Sequence, residues 1–196
     1  MCHTQSDPPP APQVCATKMI ELHVHSPEVP SIDLLDLPGL KTNPGPRDAP
    51  DMPQQVEALV RSAIERYRDS AVFLVTTQAS TKAEMCLGMR LIAEYGLQER
   101  TIGVITKCDD VGRSTMRALP ARLQQTDDGV RLQPHGYVAT VTAPLEDPPE
   151  GSSHFDQLYQ MGREELEFFE EQSVLQPMVG LGLTTCNAVR AWSVRD

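Results

Sequence analysis

Apolar and polar residues alternate over Met19-Ile20-Glu21-Leu22-His23-Val24, the two-residue period of a half-buried strand. Ser26-Pro27-Glu28-Val29-Pro30 carries turn residues, and Ile32-Asp33-Leu34-Leu35-Asp36 then predicts a second strand, antiparallel to the first. Seven of the residues from 38 to 53 are prolines and glycines, Pro38, Gly39, Pro44, Gly45, Pro46, Pro50 and Pro53, which predicts a long loop. The period then changes. Val56, Leu59, Val60, Ala63, Ile64 and Tyr67 form one helical stripe, with Asp51 and Gln54 spaced to cap its start. Ala71–Val75 and Thr101–Ile105 are short apolar runs bounded by polar residues, the pattern of strands buried on both faces. Between them Met85, Cys86, Met89, Ile92 and Ala93 have helical spacing. Met116, Leu119 and Leu123 predict a shorter helix carrying Pro120, Tyr137–Val141 a last strand, and 142–153 a loop. A helix from Phe155 to about Gln172 is expected to bury Leu158, Tyr159, Leu166 and Phe169. Strands alternating with helices at these distances predict an α/β fold with a mainly parallel sheet and one antiparallel hairpin.

Composition narrows the function classes. The formal net charge of −10 disfavours counterion-driven binding to nucleic acid. No run of about 18 apolar residues predicts a membrane span, and Met1–Gln5 lacks the basic and apolar regions of a signal peptide. Five scattered cysteines without a CxxC fit reduced thiols, hence a cytoplasmic setting. Residues 1–17, with Pro8, Pro9, Pro10 and Pro12 among polar neighbours, predict a disordered proline-rich lead.

In an open parallel sheet, ligands bind in loops at the carboxyl ends of strands. Two such ends carry polar motifs: Asp36-Leu37-Pro38-Gly39, a D-x-x-G, and Thr106-Lys107-Cys108-Asp109, a T-K-x-D. In a nucleotide site, Asp36 can hold Mg²⁺ through water, and the Gly39 amide can meet a terminal phosphate unobstructed by a side chain. Asp109 can accept two hydrogen bonds from adjacent N–H donors, such as those on guanine's N1 and N2 edge, with the Lys107 stem over the base or ribose. Either motif alone is common by chance, and the bland reading is a turn after a strand. About 70 residues separate them, room for two crossover units, and each follows a predicted strand.

The run Ser26–Leu40, with its S-P-x-V-P lead into D-L-P-G, resembles the third GTPase motif of the dynamin family. Arg100–Asp109 resembles that family's fourth motif with its preceding strand, and Gly136-Tyr137-Val138 and Glu167-Phe168-Phe169 resemble its later G-domain segments. The resemblance runs over about residues 18–185, leaving 186–196 as a C-terminal tail. It implies a three-layer, P-loop-NTPase-like G domain that binds GTP and Mg²⁺ and, in a complete protein, couples GTP hydrolysis to membrane remodelling by self-assembly. Asp36 and Gly39 would serve Mg²⁺ and γ-phosphate. Thr106, Lys107 and Asp109 would serve guanine, with Thr142 standing near the family's base-contacting Asn.

The departures are equally specific. The sequence has no G-x-x-x-x-G-K-[ST], so the P-loop, its strand and a first switch are missing from a truncated G domain, and no catalytic residue is assigned. The family's second Asp falls on Gly112, with Asp110 out of register. The alternative is a non-catalytic pseudo-GTPase or gene fragment, an interaction module that self-associates or contacts full-length dynamin-like relatives. Without a central strand, its two neighbours must pair directly, borrow a strand or remain open. His23 and His25 share a strand face without a nameable third metal ligand. Cys108 is expected to fill an apolar slot; only partial exposure would make it oxidisable. Glu164, Glu165, Glu167, Glu170 and Glu171 read as a solvated helix face, and the helical methionines as core.

Overall fold

The computed structural model describes residues 14–15, 18–25, 31–142 and 153–184. Most of the expected lead over 1–17, the turn at 26–30, most of the loop at 142–153 and the tail from 186 lie outside the described residues. The chain divides into two units, Met1–Asp69 and Ser70–Asp196.

In the first unit the predicted hairpin is absent. Residues 18–25 and 31–40 contain neither strand nor helix. Their alternating apolar side chains face solvent, Ile20 at 97 %, Leu22 at 85 % and Leu34 at 81 % exposure. An alternating pattern makes a strand only where a ladder partner and an apolar face receive it, and two strands alone are marginal in water. The proline-rich loop is as expected. Asp48 organises part of it by accepting hydrogen bonds from the Gly45 N–H and the Lys41 ammonium, both at 2.8 Å, and these bonds hold its carboxyl below the usual range. Helix α1, Met52–Tyr67, buries Val56, Val60 and Ile64 from the predicted stripe. The expected Asp51–Gln54 cap does not form. The Asp51 carboxylate instead accepts from Gln55 Nε2 at 2.9 Å, and Pro53 in the first turn has no N–H to satisfy.

The second unit holds a three-stranded parallel sheet in the order β1-β2-β3, with β1 at Phe73–Gln78, β2 at Thr101–Thr106 and β3 at Tyr137–Ala139. Helix α2, Leu87–Tyr95, joins β1 to β2, and α3, Arg113–Leu123, joins β2 to β3, as parallel neighbours require. The mixed α/β class with a parallel sheet is therefore observed. Met85 falls in a 3₁₀ turn before α2 rather than inside it, and is exposed. Gly96 ends α2 in the left-handed conformation at φ 66°, where its N–H and that of Leu97 close on the Ala93 and Ile92 carbonyls.

Strand position decides burial. Central β2 is covered on both faces, with Thr101, Gly103 and Ile105 buried and the alternate residues half-buried. Strand β1 begins two residues later than predicted and is not buried on both faces. Leu74 is 60 % exposed, and no described strand pairs with the outer edge of β1. Strand β3 ends at Ala139 rather than Val141.

Helix α4, His154–Glu171, starts in a capping box between Ser153 and Asp156. Phe169 is fully buried, whereas Leu158 and Tyr159, expected in the core, are exposed. A short helix α5, Gln176–Gly180, was not evident from periodicity. It leads to a parallel bridge between Ala139 and Thr184. Among the described residues no helix is long and apolar enough to cross a membrane.

Candidate functional site

Strand β2 delivers the T-K-x-D motif to the carboxyl end of the sheet. At Thr106 the ladder ends, and the Thr106 hydroxyl reaches the Thr77 carbonyl of β1 at 3.4 Å. Lys107 then takes a left-handed conformation, φ 54°, unusual for a residue with a Cβ. This reversal turns the chain so that Cys108 points inward and Asp109 outward. A backbone bond from the Asp110 N–H to the Lys107 carbonyl closes the turn at 3.2 Å.

Cys108 is the apolar peg of this turn. Its side chain is fully buried, in keeping with the expected apolar slot and without the exposure that oxidation would need. Its Sγ–H donates to the Ile105 carbonyl at 3.4 Å. Burial pushes the thiol from 9.0 up to about 11. The Thr140 backbone bond and the Arg122 charge pull the other way, while the Asp109 and Glu165 carboxylates add to the rise. Such a thiol is held protonated at neutral pH and is poorly suited to redox chemistry.

Beyond β3, Thr140 donates its N–H to the Ile105 carbonyl at 2.8 Å, carrying the chain one rung past the strand. Thr142 follows, and here the second loop meets the first. Thr106, Lys107, Asp109, Asp110 and Thr142 line one open cavity of about 530 Å³. Four of the residues expected to hold guanine are thus brought together, although 33 positions separate Asp109 from Thr142. Asp110, out of register in the motif comparison, joins the same wall. With Lys107, Asp109 and Asp110 all exposed, the cavity offers two carboxylates and one ammonium to a ligand rich in N–H donors.

Asp36 and Gly39 belong to the other unit and are exposed, in the segment without regular structure. A Cβ at Gly39 would meet nothing within 4 Å, so the local fold does not itself demand glycine there. Asp36 offers one hard oxygen donor group. Among the described residues, no three His, Cys, Asp or Glu side chains gather as a metal site. His23 is exposed and lies 3.9 Å from Glu21.

One residue of consequence escaped sequence reasoning. Glu165, expected on a solvated face, is only 7 % exposed. Its Oε1 accepts from the Thr140 hydroxyl at 2.7 Å and from the Val141 N–H at 2.8 Å. The signal was present in the helical period, since Glu165 lies four residues before the buried Phe169 and shares its stripe.

These features define a parallel-sheet α/β protein whose polar site lies at the carboxyl ends of β2 and β3, where such folds take ligands. No protein-family model matches the chain. Individual relatives do. A dynamin-related protein, dnm1, of Schizosaccharomyces pombe is 33 % identical over 156 residues, 77 % of this chain and 18 % of the relative. The interferon-induced GTP-binding protein Mx1 of Bos taurus is 34 % identical over 99 residues, 50 % of this chain and 15 % of the relative. Dynamin-A of Dictyostelium discoideum is 34 % identical over 107 residues, 53 % of this chain and 12 % of the relative. The chain therefore carries a dynamin-type G-domain segment, and spans under one fifth of the length of these relatives.

Proposed function

We propose that this segment binds guanine nucleotide through the cavity at the ends of β2 and β3. The reading rests on one observation: Thr106 at the end of β2, Lys107 and Asp109 in the loop after it, and Thr142 beyond β3 line a single cavity. Asp109 accepts from the paired N–H donors of guanine, and the Lys107 stem lies along the base or ribose. Thr142 supplies a hydroxyl to the rim. By its place in the D-x-x-G motif of the first unit, Asp36 would hold Mg²⁺ through water and the Gly39 amide would meet a terminal phosphate, as the motif by itself implies. A magnesium ion commonly takes one or two protein carboxylates and completes its shell with phosphate and water, so a single Asp suits it chemically. Bound there, it would neutralise phosphate charge.

Hydrolysis is not expected of this chain by itself. Phosphoryl transfer depends on placing the β- and γ-phosphates with backbone N–H groups and a lysine, and the sequence has no G-x-x-x-x-G-K-[ST]. Calorimetric titration tests both parts. GTP should bind more tightly than ATP, and Asp109→Ala should erase the difference. Equal binding of the two nucleotides would remove the assignment, and turnover above that of Lys107→Ala would refute the lack of hydrolysis.

A second reading, a non-catalytic interaction module, is favoured by the outer edge of β1, which no described strand pairs with, and by exposed Leu74 on β1 and Val72 just before it. Open edges of this kind pair with further strands. Self-association with a second copy, seen as concentration-dependent sedimentation without nucleotide, is the outcome that would support it.

A further inference from the structure

We propose that Glu165 is a positioning residue, fixing the Thr142 wall of the cavity by holding Thr140 and Val141 onto helix α4; its bearing on ligand affinity rests on the guanine reading above. The geometry begins where the sheet runs out. Strand β3 ends at Ala139, and the Thr140 N–H makes the last bond to β2, to the Ile105 carbonyl at 2.8 Å. The next N–H, that of Val141, leaves the ladder. A half-buried amide without an acceptor is costly, and here the acceptor comes from a helix. Glu165 Oε1 takes the Val141 N–H at 2.8 Å and the Thr140 hydroxyl at 2.7 Å, so one carboxylate oxygen grips two consecutive residues. Both bonds are short and end on the same oxygen, so they act on the two residues together.

The grip has a firm base. Helix α4 is capped at Ser153 by reciprocal bonds with Asp156, and one turn beyond Glu165 the ring of Phe169 is completely buried. Thr142 follows Val141 directly and lines the cavity with Lys107 and Asp109. The distance across the cavity therefore depends on a side chain that does not line it. The Glu165 carboxylate also opposes ionisation of the Cys108 thiol, the peg of the first loop. Loss of the acceptor would free the Thr142 wall and leave the sheet itself in place.

The test combines amide hydrogen exchange by NMR with GDP titration on the full chain. Glu165→Ala should speed exchange at Val141 by about tenfold or more while β2 amides keep their rates, and should weaken GDP binding several-fold. Glu165→Gln, which retains Oε1 as an acceptor, should restore both to within about threefold. Unchanged exchange at Val141 in Glu165→Ala, or a rise only in step with β2, would overturn the proposal. If Glu165→Ala fails to fold, Thr140→Val removes one of the two donors. It should raise Val141 exchange by about threefold, and no rise there would be equally fatal. If local exchange rises and Asp109→Ala weakens GDP binding while Glu165→Ala does not, the wall is irrelevant to the ligand and the proposal falls. If the wild-type chain binds neither GDP nor ADP, the guanine reading fails by itself, and the exchange rates still decide whether Glu165 holds the wall.

Discussion

Raising the pH from 8 to 11 should destabilise the native protein through Cys108, and Cys108→Ala should remove that part of the loss. The thiol ionises at 9.0 when unperturbed and at about 11 in the fold, chiefly because burial disfavours the thiolate. Between those values the unfolded chain has released a proton that the native chain still holds. The unfolded state therefore binds fewer protons, and stability falls as pH rises. For one group with these two pKa values, the loss is about 1.4 kcal/mol at pH 10 and about 2.3 kcal/mol at pH 11. That is a large share of a domain stability of about 5–15 kcal/mol. Tyr137, raised from 10.0 to about 12 by burial, adds a second loss that begins about one pH unit higher. It is common to both proteins, so the comparison isolates the thiol. Urea unfolding followed by circular dichroism at pH 8, 10 and 11 would measure it. The stability advantage of wild type over Cys108→Ala, of either sign at pH 8, should shift against wild type by about 2 kcal/mol at pH 11. Parallel curves for the two proteins would show that Cys108 is not buried as described.

Gly103→Ala should cost stability at or above the upper end of about 1–3 kcal/mol. A Cβ there would lie 2.9 Å from Tyr137 Cγ and closer still to Cδ1 and Cε1. The ring cannot swing aside, because its hydroxyl donates to the Val130 carbonyl at 2.6 Å; an unchanged urea midpoint would contradict this packing. Lys107→Gly should leave stability equal or raise it by up to about 1 kcal/mol, since glycine accepts φ 54° without the strain a Cβ brings. It should also weaken nucleotide binding through loss of the Lys107 stem, and a fall in stability beyond about 1 kcal/mol would refute the strain argument.

Local pattern was enough where the chain satisfies its own backbone. Helix α1 followed from a stripe at Val56, Val60 and Ile64, because a helix closes its hydrogen bonds within one segment. The placement of Thr106–Asp109 after a strand followed from the apolar run before it, with polar residues marking the strand's end. The alternation at 19–24 and 32–36 was equally legible and did not produce strands. A strand's bonds belong to a neighbour, and alternation does not reveal whether one is there. The same reason separates β1 from β2. Both are short apolar runs, yet of the two only β2 has described strands on both edges and is covered on both faces. Glu165 was placed wrongly because an acidic run reads as solvated, and only the end of β3 supplies the two donors that make burial of a carboxylate tolerable. The sequence determined which residues could serve a nucleotide. Tertiary structure decided that Thr142 lines one cavity with Lys107 and Asp109, because that meeting depends on the register of β2 with β3 and on a helix that follows them both.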